Sequence, residues 1–131
     1  MKEAIDPPSL HPPPGYSHVV RVEGGTTVHI AGQVAWDPEG RLVGAGDFEA
    51  QARQVFTNLG LALESVGAGF ADLVRIRIYV VGHDDDKLAA LRRVRDEFFA
   101  DITPPASTLL GVERLATADL LVEVDAVAVI D

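Results

Sequence analysis

The end of the chain alternates between two kinds of position, and this pattern constrains the fold more than any other feature. From Leu120 to Ile130, every second residue is apolar, and the residues between combine Leu121, Val127 and Val129 with two acids. A period of two is typical of a β-strand. Both faces of this strand are therefore too apolar for water, although helices of the same chain cover only one. Self-association through the second face is the economical solution.

The rest of the chain predicts an α+β architecture in the order β-β-α-β-α-β-β. Apolar residues spaced by three and four predict the helices, β-branched runs predict the strands, and the pair Gly24-Gly25 predicts a β-hairpin between the first two strands. Two helices for five strands cover one face of a mixed sheet. The predicted elements before the last strand are Val19–Val22, Thr27–Ala31, Phe48–Val66, Leu73–Val81, Asp85–Ala100 and Ser107–Glu113.

The chain has the size of one domain, since it contains 131 residues. Residues 1–15 contain five prolines, each of which fixes φ and removes a hydrogen-bond donor. We therefore expect an extended N-terminal arm over 1–15, with neither a helix nor a central strand, and a single folded domain over 16–131.

Composition disfavours several classes of function. Asp and Glu number 20 against 11 Lys and Arg, and the resulting charge of −9 repels nucleic-acid phosphates. The absence of Cys excludes disulfides and thiolate chemistry. No apolar run is long enough to cross a membrane, so a cytoplasmic protein is expected. The four His residues lack the spacing of metal ligands, so no metal site is predicted.

Two features are candidates for a functional site. Gly32, between Ala31 and Gln33, either lets a ligand or a second chain approach the backbone closely or simply ends a strand. Glu123 lies on an apolar strand and is either a buried carboxylate paired with Arg75 or Arg77, or a general acid or base whose pKa burial raises.

Short motifs along the chain resemble the RidA (YjgF/YER057c/UK114) family. They occur in the family's order from about residue 16 to residue 129, which makes the combined signal stronger than any single motif. The motifs are Gly15-Tyr16, Ala31-Gly32-Gln33-Val34, the segment from Gln51 to Leu59, Val80 to His83, Asp96-Glu97-Phe98-Phe99, Pro105-Ala106 and the segment from Val122 to Val129.

The resemblance implies a chorismate-mutase-like fold and a homotrimer. In such a trimer the sheets form a central barrel, the helices lie outside, and ligand clefts lie between subunits. The best-known members hydrolyse reactive 2-imino or enamine acids to 2-keto acids and ammonia without a metal or an organic cofactor. The implied partners are therefore two further copies of the chain and a small molecule in the cleft.

Carried over residue by residue, the resemblance implies catalytic roles for Tyr16 and Glu123. The implied substrate-binding residues are Ala31, Gly32, Gln33, Arg92, Ser107, Thr108 and Leu109. Four of them depart from the family pattern: Ala31 replaces a serine, Arg92 lies near the position of an asparagine, Leu109 replaces a cysteine, and Ser107 replaces the arginine that clamps the substrate carboxylate.

These substitutions lead to two hypotheses. In the first, the trimer hydrolyses a small imine, enamine or carbonyl-derived compound, with Glu123 activating water and Arg92 supplying the lost guanidinium. Ser107 donates at most one neutral hydrogen bond, so the usual 2-imino acid deaminase activity is disfavoured. In the second, the trimer binds a small molecule without turning it over. A ribonuclease activity, a label used in this family, is disfavoured by the charge of −9.

Overall fold

The computed structural model describes residues 1–131 and contains six strands, two α-helices and one short 3₁₀ helix. The predicted α+β class is confirmed. In chain order the elements are β1 (Lys2–Ile5), β2 (Val19–Val22), β3 (Thr26–Gln33), α1 (Phe48–Glu64), the 3₁₀ helix (Phe70–Asp72), β4 (Leu73–Val81), α2 (Asp85–Phe99), β5 (Ala106–Val112) and β6 (Val122–Ile130).

The main sheet has four strands in the order β3-β6-β4-β5. β6 is central and pairs antiparallel with β3 and β4, while β5 pairs parallel with β4, so the sheet is mixed as expected. The strongly alternating segment is thus one of the two inner strands of the sheet, the other being β4. One of its faces carries Val122, Val124, Ala126 and Ala128, all of which are buried.

Both helices cover this buried face of the sheet. Phe56 and Leu59 of α1 and Val94 of α2 are fully buried in one core together with the inward residues of β4 and β6. Asp47 caps α1 by accepting a hydrogen bond from the Ala50 N–H at 3.1 Å, as its position before the helix predicts. Neither helix combines the length and apolar character that crossing a membrane requires.

The predicted hairpin between the first two apolar runs is wrong. Gly24 and Gly25 do adopt the expected positive φ values, 72° and 83°. However, β2 pairs with β1 to form a separate two-stranded sheet, and β3 pairs with β6. The nine-residue β6 offers β3 a longer ladder, and Val28 and Ile30 continue its apolar inner face.

The N-terminal arm contains a strand that the proline content concealed. Pro7 begins the proline-rich part, but the preceding segment Lys2–Ile5 contains no proline and forms β1. The Met1 ammonium donates to the Glu23 carbonyl at 2.7 Å, and the Glu23 N–H donates back to the Met1 carbonyl at 2.9 Å. These bonds attach the first residues to the rest of the chain at the edge of a small sheet. A strand of four residues is too short for its alternation to be recognised in the sequence.

The helix-free face of the main sheet, called here the open face, combines apolar and charged side chains. Tyr79 and Val81 of β4 and Val127 and Val129 of β6 lie half-buried on it. Arg77 and Asp125 face each other across the β4–β6 pair. The Arg77 Nε donates to Asp125 at 3.0 Å, and the Tyr79 hydroxyl donates to the same carboxylate at 2.9 Å. An arginine and an acid therefore pair on this face, but the acid is Asp125 and not Glu123.

A buried glutamine in α1 fixes the two segments that frame the sheet. The Gln51 side chain is fully buried and its amide donates to the carbonyls of Gly44 at 3.1 Å and Asp119 at 3.0 Å. Its carbonyl oxygen accepts from the Leu121 N–H at 2.9 Å. Gln51 thus bonds to three backbone groups, one of them at the entrance to β6, and shares only the Gly44 carbonyl with a second donor, the Asp47 N–H.

We expect Gln51→Leu to destabilise the protein by roughly 2 kcal/mol, because it removes the hydrogen-bond partners of the Leu121 N–H and the Asp119 carbonyl. Urea unfolding at one fixed protein concentration measures the change. Gln54→Leu is the matched control, since Gln54 bonds only to Asn58 on the same helix, and we expect a loss below about 1 kcal/mol for it. Equal losses for the two variants would contradict the anchoring role of Gln51.

Candidate functional site

Glu123 lies on the open face at the start of β6, opposite Tyr79 of β4. On its other side the β3–β6 register shifts between Ile30 and Gln33, which leaves a bulge at Ala31 and Gly32. The Glu123 carboxylate lies across this bulge and occupies the space that a Cβ on Gly32 would fill. The structure therefore brings Gly32 and Glu123 together, and a Cβ at position 32 would displace the end of the acid's side chain from this place.

The Glu123 carboxylate has no hydrogen-bond or ion-pair partner within the chain. The arginine that the sequence offered as its partner, Arg77, pairs with Asp125 instead, and the other candidate, Arg75, forms no ion pair. The pKa of Glu123 is raised, first by desolvation and second by the nearby negative charge of Asp125. A shielded carboxyl group without a fixed partner is free to exchange a proton with a bound molecule.

A second group of predicted residues lies on the opposite side of the sheet. Tyr16, Arg92, Ser107 and Leu109 line one cavity of about 170 Å³ between α2, β5 and the N-terminal segment. Strand alternation explains the position of Ser107 and Leu109, because they pair in register with Ile76 and Ile78, whose side chains point into the core.

The N-terminal segment is held at this cavity by hydrogen bonds to the start of β5. Ser17 is buried, its N–H donates to the Pro105 carbonyl at 3.0 Å, and its hydroxyl donates to the Pro104 carbonyl. These bonds place Tyr16 at the wall of the cavity. The Tyr16 hydroxyl is not free, because it forms a 2.7 Å hydrogen bond with the Nε2 atom of His11.

Sequence reasoning missed one charged residue of this cavity, Arg95. Its guanidinium lies against Gly15, in the space that a Cβ there would fill, and Gly15 has a φ of 90°. The signal was present in the helical spacing, since Arg95 follows Arg92 by three residues and shares its side of α2. It went unnoticed because the apolar stripe of α2 defined the predicted inner face.

Thr108 and Gln33 do not join this second group. Thr108 pairs in register with Arg77, is exposed and belongs to the open face. The Gln33 side chain donates to the Ala31 carbonyl at 3.1 Å, within the bulge beside Glu123. The predicted residues therefore form two half-sites on opposite sides of the sheet: an acid half-site around Glu123 and Gly32, and a cavity half-site around Arg92 and Ser107.

Comparison with known proteins decides the family. The sequence model of the family described as Endoribonuclease L-PSP matches residues 8–130. A crystal structure of a Rid-family protein of unknown function, YyfB from Yersinia pestis, superposes with a TM-score of 0.93 at 42% identity, covering 98% of both chains. This chain belongs to the RidA family.

Two relatives of this RidA-family chain differ in what their names state. A RutC family protein from Synechocystis, slr0709, is 35% identical over 116 residues, covering 88% of this chain and 85% of that protein. The 2-iminobutanoate/2-iminopropanoate deaminase from Dermatophagoides farinae is 32% identical over 131 residues, covering 99% of this chain and 98% of that protein. The predicted family and RidA-like fold are thereby confirmed, and imine deamination is an activity named among the relatives.

We expect Glu123→Gln to stabilise the fold at neutral pH and to lose this advantage in acid. A raised folded-state pKa means that the wild-type side chain loses stability as pH rises from its ordinary value of 4.5 through the folded value. Melting temperatures between about pH 4 and pH 8 measure the effect. Glu113→Gln, at an exposed site beyond β5, is the control. A wild type that gains stability relative to Glu123→Gln with rising pH would contradict the assignment.

Proposed function

We propose that this RidA-family chain forms a homotrimer that hydrolyses a small reactive imine or enamine in clefts between its subunits. The observation that carries the proposal is the Glu123 carboxylate over Gly32, which has no partner within the chain and whose pKa is raised by burial and by the Asp125 charge. The name of the mite relative, an imine deaminase, supports the same reaction class.

In this reaction Glu123 accepts a proton from water as the water oxygen bonds to the imine carbon. The same carboxyl group delivers that proton to the imine nitrogen, which gives a carbinolamine. The Glu123 carboxylate then takes the proton of the carbinolamine hydroxyl group and passes it to nitrogen as the carbon–nitrogen bond breaks and the carbonyl double bond forms. The products are a carbonyl compound and ammonia, so the atoms of one imine and one water are conserved. An enamine enters the same sequence after a proton adds to its carbon. No group beyond the chain and water is needed for this balance.

The two half-sites support a site shared between subunits. In one chain, the sheet separates the acid half-site from the cavity half-site, so a single subunit does not place Glu123 against Ser107. Association through the open face covers Val127 and Val129 and brings a second chain next to Glu123. In such a trimer the four-stranded sheets form the inner wall and the helices lie outside.

Light scattering tests the assembly. We expect a mass of about three times 14.0 kDa. Val127→Lys should give a lighter species, because it places a charge on the open face, whereas Leu61→Lys on the exposed side of α1 should leave the mass unchanged. A wild-type mass of one chain would contradict the shared cleft.

The second candidate is a trimer that binds a small molecule without hydrolysing it. Ser107 favours it, because a neutral hydroxyl replaces the family's arginine, and one charge-assisted hydrogen bond is worth roughly 1.5–3 kcal/mol. A turnover assay separates the two candidates. A small imine generated in solution is trapped by semicarbazide, and a hydrolase lowers the yield of the trapped product.

We expect the wild type to lower that yield and Glu123→Gln to reduce the rate about 10²- to 10⁴-fold, the usual contribution of a general acid–base group. Gly32→Ala should approach the same loss, because its Cβ displaces the carboxylate. Gly69→Ala is the control, since nothing surrounds that position. Equal rates for the wild type and Glu123→Gln would leave only the binding candidate.

A further inference from the structure

We propose that the cavity beneath α2 binds a small organic acid with a short apolar chain, and that Arg95 holds its carboxylate. The inference rests on the proposed function in taking this cavity as the half-site that supplements Glu123. It assigns to α2 the cation that the family places on β5, at the position of Ser107. The ligand class follows from the charge, shape and size of the cavity wall.

The charge of the cavity is positive although the chain is strongly acidic. Arg92 and Arg95 both line it, and no carboxylate does. Arg92 forms no ion pair, and Arg95 has only a 3.5 Å contact with its sequence neighbour Asp96. Other arginines on the same surface are satisfied: Arg93, for example, contacts Glu49 at 2.8 Å.

Arg95 differs from the chain's other weakly paired cations by being shielded from water. Its side chain is 17% exposed, whereas Arg75 and Arg114, which form no ion pairs, are solvent-exposed. A shielded guanidinium without a close counterion is unfavourable unless another anion supplies the missing hydrogen bonds. A ligand carboxylate matches the planar fork of this group.

The N-terminal segment fixes the direction of that guanidinium. It lies over Gly15, where a side chain would collide with it, and the bonded Ser17 holds the segment in place. Because the group is already positioned, a bound carboxylate does not have to order a long flexible side chain. The Ser107 hydroxyl also faces the cavity and forms no hydrogen bond within the chain, so it is available as a second donor.

The remaining wall selects an apolar body of limited size. Leu88, Leu91, Leu109 and Ile78 line it. A volume of about 170 Å³ corresponds to roughly six non-hydrogen atoms at the volume of liquid water. The fitting ligand is therefore a monocarboxylate of about four carbons, rather than an inorganic anion or a large acid.

Butanoate is a suitable probe, because it has the charge and size but cannot be turned over. We expect the wild type to bind it in a calorimetric or NMR titration. Butanamide, which lacks the charge, and sulfate, which lacks the apolar body, should each bind at least about tenfold more weakly. Equal affinity for sulfate would overturn the ligand class, and no butanoate binding at millimolar concentrations would overturn the site.

Variants assign the role of Arg95. We expect Arg95→Gln to weaken butanoate binding at least about tenfold, the effect of one charge-assisted hydrogen bond, and Arg95→Lys to recover part of it. Arg93→Gln, on the same helix outside the cavity, should bind as the wild type does. Undiminished butanoate binding by Arg95→Gln would overturn the assignment of Arg95. The same conclusion would follow if Arg92→Gln abolished binding while Arg95→Gln did not.

Two further variants keep the test independent of folding defects. Leu109→Phe fills the cavity while both arginines remain, so it should lose butanoate binding with an unchanged circular dichroism spectrum. Binding is measured without turnover, so the two proposals fail separately. Intact butanoate binding with no effect of Glu123→Gln on turnover would end the catalytic proposal alone. If the wild type hydrolyses the imine but Arg95→Gln and Leu109→Phe still bind butanoate as the wild type does, the proposal for the cavity fails and the catalytic proposal stands.

Discussion

The structure depends on the central position of β6, a strand that is apolar on one face and half apolar on the other. Its inner residues anchor the core beneath both helices, so β6 does not move without disrupting the domain. Because side chains alternate exactly, this anchoring also fixes which residues face outward, and Glu123 and Asp125 must share the open face. The position of the acid half-site is therefore a consequence of core packing.

These two outward acids have different environments although they are only two residues apart. Asp125 receives hydrogen bonds from Arg77 and Tyr79, both on the adjacent β4. Arg77 and Tyr79 therefore do not donate to Glu123, which lies two residues before Asp125 on the same face of β6, beside the Gly32 bulge. Burial raises the pKa of Glu123, and the negative charge of Asp125 raises it further. One acid is thus held by two hydrogen-bond donors and the other has no partner within the chain, a difference set by the neighbouring side chains.

Local patterns predicted most of the fold because the decisive signals were local. The periodicity predicted the observed bounds of β4, Leu73–Val81, and it placed the end of α1 two residues beyond its observed end at Glu64. The alternation of side chains assigned the two faces of β6. The hairpin failed because two glycines specify a turn but not which strand the next segment will pair with. That choice depends on β6, nearly a hundred residues later, and no short-range pattern contains it.

The candidate site was only partly predictable for the same reason. Glu123 and Gly32 stood out in the sequence, but their contact depends on a register shift between distant strands. Arg95 did not stand out, because its significance arises only where the N-terminal segment crosses α2 at Gly15. The sequence also left open which arginine pairs with which acid, since β4 presents Arg75 and Arg77 to the same face of the sheet.

The neutral serine at position 107 is consistent with the charges that α2 brings to the same cavity. A guanidinium at position 107 would extend from β5 toward a cavity whose opposite wall already carries Arg92 and Arg95. Three cations around a cavity of about 170 Å³ would repel one another, most of all at Arg95, whose side chain is only 17% exposed. A short neutral side chain at position 107 relieves that repulsion and keeps one hydrogen-bond donor directed into the cavity. Under the proposal for Arg95, the positive charge that the family resemblance implies for β5 lies on α2 instead, and an anion is held from the helix side of the cavity.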